Sequence, residues 1–464
     1  MWSLAAALLY GCETTCVGVG CEEDFGAARL TVHAGAALPE SGQAEITDVT
    51  PVIVGTENEG PEWDVVVGSS GLMIGSQLDG AVRSIGVAPG VSSTADSNGI
   101  IVGAANGDGF GSQVSVYRTE EDANSLLVAA PLHSVSAATR HDGALYRFDG
   151  KGNGFTGSFT TLDASLRITG EESGARFGAA VAICPDLDGD GADEWLIASP
   201  RSNTGAEMGG AVTLILSSEL SGTEAQTGSG AFVRRWYSED TGARAGHALS
   251  CKHDLNGDGI PELLIGAPFA DGPDETDAVG AVYMVSGSEL PEGGPLATAA
   301  ETIAYGSIQN DWFGFSLETG DVDGNGRADL LVGAPGADKG TGDVRMWLIT
   351  DALNESPNLT LNGDAAGDGF GHSLRVGDAN NDGMDDLFIG APFVNPSQDE
   401  ETFDAGSISI HYGRNDWTGL TDRAPDVLAP GSDQYQRTGR RIFVGDVDGD
   451  DRDDLVSVQR TAEE

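Results

Sequence analysis

The residues of this chain that could do chemistry are oxygen-bearing side chains spaced two residues apart in a short loop. In one such loop they stand at Asp321, Asp323, Asn325 and Asp329. Gly326 stands at the sixth position, where wrapping an ion requires a tight turn that glycine adopts without strain. Oxygen ligands in this order favour a hard divalent cation, and calcium in particular.

The same pattern recurs in four other segments of the chain. The predicted side-chain ligands of these loops are Asp186, Asp188, Asp190 and Glu194; Asp254, Asn256, Asp258 and Glu262; Asp378, Asn380, Asp382 and Asp386; and Asp446, Asp448, Asp450 and Asp454. The seventh position is expected to offer its backbone carbonyl, at Ala192, Ile260, Arg327, Met384 and Arg452. The last loop departs from the pattern, because Asp451 replaces the glycine at its sixth position.

These loops differ from an EF-hand at the residue that closes the site. An EF-hand needs a bidentate glutamate at position twelve, but that position holds Ile197, Ile265, Val332, Ile389 and Ser457. The closing carboxylate is therefore predicted at position nine, immediately before an apolar run. The loops contain no histidine that could activate a bound water. We expect about five calcium sites with a structural role.

The elements that position these loops form a repeat. Aligning the chain on the apolar run after each loop gives starting residues 64, 125, 194, 262, 329, 386 and 454, with successive spacings of 61, 69, 68, 67, 57 and 68. Another predicted strand follows each start, and a more variable one completes the unit. The 68 glycines and 39% hydrophobic residues fit short strands and many turns. Seven units of four short strands are typical of propeller blades.

Most units begin with an aromatic-glycine pair, at Phe110-Gly111, Phe177-Gly178, Phe313-Gly314 and Phe370-Gly371, and several second strands end in Gly-Ala-Pro. This alternation, together with the acidic loop, closely resembles the FG-GAP repeats of integrin α-subunit head domains and their bacterial relatives. The resemblance covers residues 24–458, although the first two units lack the acidic loop. It implies an all-β, seven-bladed β-propeller of four-stranded blades, with the calcium hairpin between the first two strands of a blade.

The two ends of the chain are predicted to meet in the last blade. The seventh unit ends at Val458, after its second strand, and residues 26–42 parallel residues 280–294. The N-terminal strands would thus complete that blade and leave no free sheet edge. The predicted organisation is a signal peptide at 1–11, a linker at 12–23, the propeller at 24–458 and a tail at 459–464.

The N-terminal stretch Met1–Cys12 is apolar and ends in Gly11-Cys12. It resembles a bacterial lipoprotein signal, in which Cys12 would be lipidated. The protein would then be exported to the cell envelope or surface, either lipid-anchored or secreted. The alternative is an ordinary apolar N-terminus that is not cleaved.

The remaining cysteines suggest disulfide chemistry only near the N-terminus. Cys16 and Cys21 lie close enough in sequence for a small disulfide. Cys184 and Cys251 precede consecutive acidic loops, but their offsets from these loops differ by one residue. They are therefore predicted to be two buried thiols.

The net charge of −49 exceeds what the acidic loops and their ions account for. A surface this anionic argues against nucleic acid and against anionic membrane as partners, since both carry charge of the same sign. Membrane association is expected only through the lipid anchor.

The favoured function is a binding or adhesion scaffold that contacts protein or glycan through the loops opposite the calcium hairpins. Candidate contact residues are Trp236, Tyr237, Trp312 and Tyr435, with the alternative that each packs its own loop. The rival hypothesis is a secreted hydrolase or lyase built on a calcium-binding propeller. Against that rival, the seven histidines are scattered and no Gly-x-Ser-x-Gly elbow is present, so no catalytic residue is predicted.

Overall fold

In a computed structural model of the chain, almost every regular element is a β-strand. The residues that the structure describes are 28–33, 42–43, 56–57, 63–69, 73–74, 77–78, 81–87, 99–102, 108–118, 124–135, 140–149, 157–216, 220, 224–226, 233–273, 278–350, 353, 356–396, 403–417, 424–432, 434–445 and 452–460. Two four-residue helical turns, α1 (Leu296–Ala299) and α2 (Ala337–Gly340), and a 3-10 turn at Thr161–Asp163 complete the elements. In this part of the chain, no helix has the length and apolar character that crossing a membrane requires.

The strands of the first half of the chain are β1 (Ala28–His33), β2 (Gly42–Gln43), β3 (Thr56–Glu57), β4 (Trp63–Ser69), β5 (Met73–Ile74), β6 (Gln77–Leu78), β7 (Ala81–Val87), β8 (Gly99–Val102), β9 (Val114–Arg118), β10 (Asn124–Ala130), β11 (Ala144–Asp149), β12 (Gly157–Thr160), β13 (Leu166–Thr169), β14 (Val181–Cys184), β15 (Glu194–Ser199), β16 (Ala211–Ile215), β17 (Glu224–Gln226) and β18 (Val233–Tyr237). Those of the second half are β19 (Ala248–Ser250), β20 (Leu263–Ala267), β21 (Ala281–Val285), β22 (Gly294–Pro295), β23 (Glu301–Tyr305), β24 (Ser316–Gly320), β25 (Asp329–Ala334), β26 (Asp343–Trp347), β27 (Leu359–Asn362), β28 (Ser373–Gly377), β29 (Asp386–Ala391), β30 (Ser407–His411), β31 (Val427–Pro430), β32 (Arg441–Gly445) and β33 (Asp454–Arg460).

Among the described residues, these strands form seven sheets of three to five strands and one small hairpin, β5–β6. Six of the sheets contain four antiparallel strands in chain order: β3-β4-β7-β8, β9-β10-β11-β13, β14-β15-β16-β18, β19-β20-β21-β23, β24-β25-β26-β27 and β28-β29-β30-β31. The all-β class and the four-stranded unit predicted from the repeat are thus confirmed.

Four of these sheets gain a fifth strand, which pairs in parallel with the fourth strand at the sheet edge. The added strands are β12 on β8, β17 on β13, β22 on β18 and β2 on β31. Each of the first three comes from the connection between the third and fourth strands of the following repeat. The connection covers backbone groups that an edge strand would otherwise expose.

The remaining sheet joins segments from opposite ends of the described chain. Its order is β1-β33-β32, and β1 pairs antiparallel with β33 from Ala28↔Arg460 to His33↔Leu455. An N-terminal strand therefore lies third in the last sheet, at the position predicted for it. Strand β33 continues to Arg460, two residues past the predicted end of the repeats.

The second strand of most repeats is buried along its whole length. Every residue of β15, β20, β25 and β29 is buried. The reason is that sheets pack face to face in chain order: Leu264 and Val282 of one sheet, for example, share a cluster with Leu330 and Trp347 of the next. Each fully buried Leu, Ile or Val contributes roughly 1.5–3 kcal/mol.

The first strands of successive sheets also contact one another in chain order, from β9 through β14, β19, β24 and β28 to β32. One longer link joins distant repeats. The guanidinium of Arg441, at the start of β32, donates to the carbonyl of Ser112, just before β9, at 3.4 Å.

Glycine is required where the start of one repeat meets the second strand of the repeat before it. Gly371, of a Phe-Gly pair, has φ +84°, and a Cβ on it would lie 3.3 Å from the Cα of Gly333. A Cβ on Gly333, of the Gly-Ala-Pro turn, would overlap the carbonyl oxygen of Gly371. The two motifs therefore recur together because their glycines allow two backbones to approach.

Cys184 and Cys251 form a disulfide, so the prediction of two buried thiols is wrong. Their Cα atoms lie 5.1 Å apart. Cys184 ends β14, whereas Cys251 follows the last residue of β19. These strands belong to different sheets that contact side by side, so no hydrogen-bonded register fixes one cysteine relative to the other. The one-residue difference between their offsets from the acidic loops therefore does not keep the two sulfur atoms apart. Cys16 and Cys21 lie outside the described residues.

We predict that Gly333→Ala destabilises the fold by about 1–3 kcal/mol, the usual cost of overpacking. The new methyl group would meet backbone, which cannot rotate away. Gly445→Ala is the matched control, because a Cβ there meets no atom within 4 Å. Thermal melts of both variants check this; equal melting temperatures would contradict the close-approach argument.

We predict that the double variant Cys184→Ser/Cys251→Ser loses about 4 kcal/mol of stability, since the disulfide closes a loop of 67 residues. Denaturant unfolding with and without dithiothreitol measures the loss. The variant Cys16→Ser/Cys21→Ser serves as control and should keep its sensitivity to reductant. A double variant as stable as the unsubstituted chain would refute the contribution of this cross-link.

Candidate metal centres

Four of the acidic loops lie in described residues, and each connects the first strand of a sheet to the second. The aspartate at position one organises the turn: its Oδ2 accepts the N–H of the glycine at position six. These distances are 2.9 Å for Gly191 to Asp186, 2.7 Å for Gly259 to Asp254, 2.7 Å for Gly326 to Asp321 and 2.8 Å for Gly383 to Asp378. The glycines have φ between 84° and 92°, in the left-handed region that favours this residue.

The closing carboxylate at position nine is the first residue of the second strand, or for Glu262 the residue just before it, and it is buried with that strand. It accepts the N–H of the residue at position two, at 2.7 Å for Leu187 to Glu194, 2.7 Å for Leu255 to Glu262, 3.1 Å for Val322 to Asp329 and 3.1 Å for Ala379 to Asp386. The position-nine carboxylate therefore joins the end of each loop to its beginning at position two.

The side chain at position five shapes the third part of each loop. It accepts the N–H of the position-seven residue predicted as a carbonyl ligand, at 2.9 Å for Ala192 to Asp190, 2.9 Å for Ile260 to Asp258, 2.9 Å for Arg327 to Asn325 and 3.0 Å for Met384 to Asp382. The four loops thus share one conformation, although their sequences differ.

This conformation brings the predicted ligands together. Carboxylate oxygens lie within 4.8 Å of one another in three groups: Asp186, Asp188 and Asp190; Asp254, Asp258 and Glu262; and Asp321, Asp323 and Asp329. The loop from Asp378 to Asp386 keeps the same hydrogen bonds. Of the last loop, residues 446–451 lie outside the described residues, and so does the Asp454 side chain.

Electrostatics of the position-nine carboxylates favour a bound cation. Burial, reinforced by the neighbouring loop aspartates, raises the pKa of Glu194 to about 8 and the pKa values of Asp329 and Asp386 to about 7. Burial likewise raises the pKa of Glu262. A cation among these oxygens would offset the cost of ionising them.

Two buried oxygens in these loops have no hydrogen-bond donor. They are Oε1 of Glu194, at position nine, and Oδ1 of Asn380, at position three. Both are predicted ligand atoms. Buried polar atoms are normally paired, so their lack of a donor, in a set made only of oxygen ligands, fits a hard cation.

The aromatic residues predicted for the opposite face have different outcomes. Trp236 is wrong as a contact residue: it lies on β18, 0% exposed, in a cluster between two sheets. Its neighbour Tyr237 is half-buried on the same strand. Trp312 is half-buried, and Tyr435 is 48% exposed with its ring edge against Phe403. Cys12 lies outside the described residues.

The structure adds an aromatic strip around Trp312 that sequence reasoning missed. Its members are half-buried and pack in series, with the guanidinium of Arg244 over Phe269, then Trp312, Phe315, His372, Phe393 and the guanidinium of Arg437. The strip lies where first strands begin and second strands end, away from the acidic loops. A signal was available, because Phe269 and Phe393 both follow an Ala-Pro pair.

Comparison with known proteins identifies the repeat. The family model for the FG-GAP repeat matches residues 254–284, 313–346 and 370–411. The chain is 36% identical over 185 residues to integrin alpha-PS2 of Drosophila melanogaster, which is 38% of this chain and 12% of the integrin. It is 31% identical over 155 residues to integrin alpha-5 of Xenopus laevis, or 33% of this chain and 14% of that protein.

A second group of similar proteins is named as an enzyme, a phospholipase D. The chain is 30% identical over 206 residues to the phosphatidylinositol-glycan-specific phospholipase D of Rattus norvegicus, which is 42% of this chain and 24% of the phospholipase. In each of these comparisons the chain spans less than a quarter of the relative's own length.

The matched residues cover three consecutive repeats, each with its aromatic-glycine or acidic-loop motif and its buried second strand. These residues of the chain are therefore FG-GAP repeats, and the chain is similar to the integrin alpha subunits.

Proposed function

We propose that this chain is an exported adhesion scaffold, an integrin-alpha-like β-propeller stabilised by calcium. The observation that carries the proposal is the set of buried position-nine carboxylates, each closing a loop of oxygen ligands, three of them within the matched FG-GAP repeats. The metal would hold each hairpin, and the opposite face would bind the partner.

Calcium would be held by the side chains at positions one, three, five and nine of each loop and by the carbonyl at position seven. The bound ion supplies positive charge to the carboxylates that the sheets bury. The protein's part is to fix the oxygens: the glycine at position six bends the chain, and the N–H at position two orients the closing carboxylate. We propose this role for all five loops, 446–454 included.

We also propose that the seven sheets are blades of a closed ring. Sheet-on-sheet packing in chain order and the sequence of first-strand contacts support this arrangement. The N-terminal residues support it too. Strand β1 takes the third place in the last sheet, and β2 pairs with β31 as the equivalent connections pair with the sheet before theirs. The Arg441–Ser112 contact links repeats near the two ends.

The binding face would be the aromatic strip of Arg244, Phe269, Trp312, Phe315, His372, Phe393 and Arg437. Half-exposed rings offer large contact area at low entropic cost, and the partner would be protein or glycan. The exposed pair Phe403–Tyr435 would extend the contact area of this face.

Export is supported by the disulfide, which persists in oxidising compartments. The similarity to integrin alpha subunits points the same way. A lipid anchor at Cys12 is part of this proposal, with secretion as its alternative, and nucleic acid is not a proposed partner of so acidic a chain.

A secreted hydrolase is the second candidate function, and the similarity to a phospholipase D favours it. Two described histidines, each near the start of a repeat, favour the scaffold. His247 and His372 both pack against Phe315, with ring centroids 4.3 Å and 4.9 Å away, and occupy equivalent places in their repeats.

We predict that calcium raises the melting temperature and that chelator lowers it. Each site would add about 2.7 kcal/mol at a hundredfold excess over its dissociation constant. Scanning calorimetry in calcium, in magnesium and in chelator measures the effect, and Asp321→Ala should remove part of it. Superimposable melts in calcium and chelator would refute the structural role of the metal.

We predict that Trp312→Ala weakens partner binding at least about tenfold, as truncation of a central aromatic contact does. A glycan array and a pull-down from envelope extract identify the partner, whose affinity is then measured. Leu162→Ala is the control, because Leu162 is 92% exposed and outside the strip. Turnover of the bound partner would favour the hydrolase, and unchanged affinity in Trp312→Ala would exclude the strip.

A further inference from the structure

Neighbouring acidic loops are joined through the residue at position eight, which has no ligand role. In the loop that ends at Asp386 this residue is Asp385. Its Oδ2 accepts the N–H of Asp321 at 2.8 Å, and its own N–H donates to the carbonyl of Asp321 at 2.9 Å. Two opposed hydrogen bonds thus hold the first residue of the preceding loop.

The same pair of bonds occurs one repeat later. Asp453 accepts the N–H of Asp378 at 2.9 Å and donates its N–H to the carbonyl of Asp378 at 3.0 Å. A glycine makes room in both cases: a Cβ on Gly320 or Gly377 would collide with the carboxylate of Asp385 or Asp453. The arrangement is therefore built into the sequence on both sides of the contact.

The contacts between the earlier loops lack both the aspartate at position eight and the glycine before the preceding loop. Where position eight is Ala328 or Pro261, the residue before the preceding loop is His253 or Pro185 instead of glycine. Between successive acidic loops, aspartate at position eight of one loop thus occurs together with glycine before the preceding loop.

A second connection runs between the same two sites. The N–H of Gly413 donates to Oδ1 of Asp386 at 2.9 Å, and the next N–H, of Arg414, donates to the carbonyl of Val322 at 2.9 Å. The indole N–H of Trp417 donates to that carbonyl as well, at 3.1 Å. Consecutive backbone groups therefore hold the closing carboxylate of one loop and the second residue of the other.

We infer that Asp385 is a positioning residue that couples calcium binding between the loops 321–329 and 378–386. The inference rests on the proposed calcium function. Position eight lies between two ligand positions, so an ion in one loop fixes its backbone and, through it, the first ligand of the preceding loop. Such coupling is reciprocal, so binding at either site strengthens binding at the other.

Isothermal titration of the full chain with calcium chloride tests the inference. Asp385→Ala should weaken one or more sites by about 5-fold to 150-fold, the span usual for coupled sites. Asp385→Asn keeps an acceptor oxygen and should restore most of the affinity. Asp193→Ala is the matched control, since Asp193 holds position eight in a loop whose preceding repeat lacks the acidic pattern.

Hydrogen exchange of peptides spanning 318–328 gives a second measurement that locates the effect. In the variant Asp382→Ala, which removes a ligand only from the following loop, protection of this segment should require more calcium. Suppose that the unsubstituted chain binds calcium but that Asp385→Ala titrates like Asp193→Ala, or that Asp382→Ala leaves this protection curve unchanged. Either result would refute the coupling and leave the proposed calcium function standing. An unsubstituted chain that binds no calcium would refute the proposed function together with it.

Discussion

A carboxylate at the start of a strand that is covered on both faces is the constraint on which this structure depends. Glu194, Glu262, Asp329 and Asp386 are at most 1% exposed, because neighbouring sheets pack over the strands that they begin or immediately precede. An ionised group in such a place is costly unless it is paired. The loop before each strand supplies one N–H that donates to the carboxylate, and it places further oxygen ligands around that carboxylate.

This constraint distinguishes the two ends of each repeat that carries an acidic loop. At one end the chain is short, acidic and closely tied, and its sequence is fixed by the turn that it must make. At the other end, the glycines of the Phe-Gly and Gly-Ala-Pro motifs let backbones meet, and the connections between them vary in length. Aromatic and cationic side chains gather there across several repeats. The closely tied loops and the aromatic and cationic side chains therefore lie at opposite ends of the same strands.

Sequence reasoning predicted what repeats, and it missed what depends on contacts between repeats. The loops and the apolar second strands were predicted from local patterns present several times, and the place of β1 was predicted from the likeness of residues 26–42 to residues 280–294. The predictions for Trp236 and for Cys184 and Cys251 were wrong for a common reason. Whether Trp236 faces solvent, or Cys184 meets Cys251, depends on how one sheet covers the next. The aromatic strip also joins side chains from different repeats, and no single repeat contains it.

The register of β1 against β33 determines how the molecule would respond to mechanical load. Ala28 pairs with Arg460 at one end of the ladder, and His33 with Leu455 at the other. A pull on the segments before Ala28 and after Arg460 would therefore open the hydrogen bonds one pair at a time, as a zipper opens, instead of loading them together in shear.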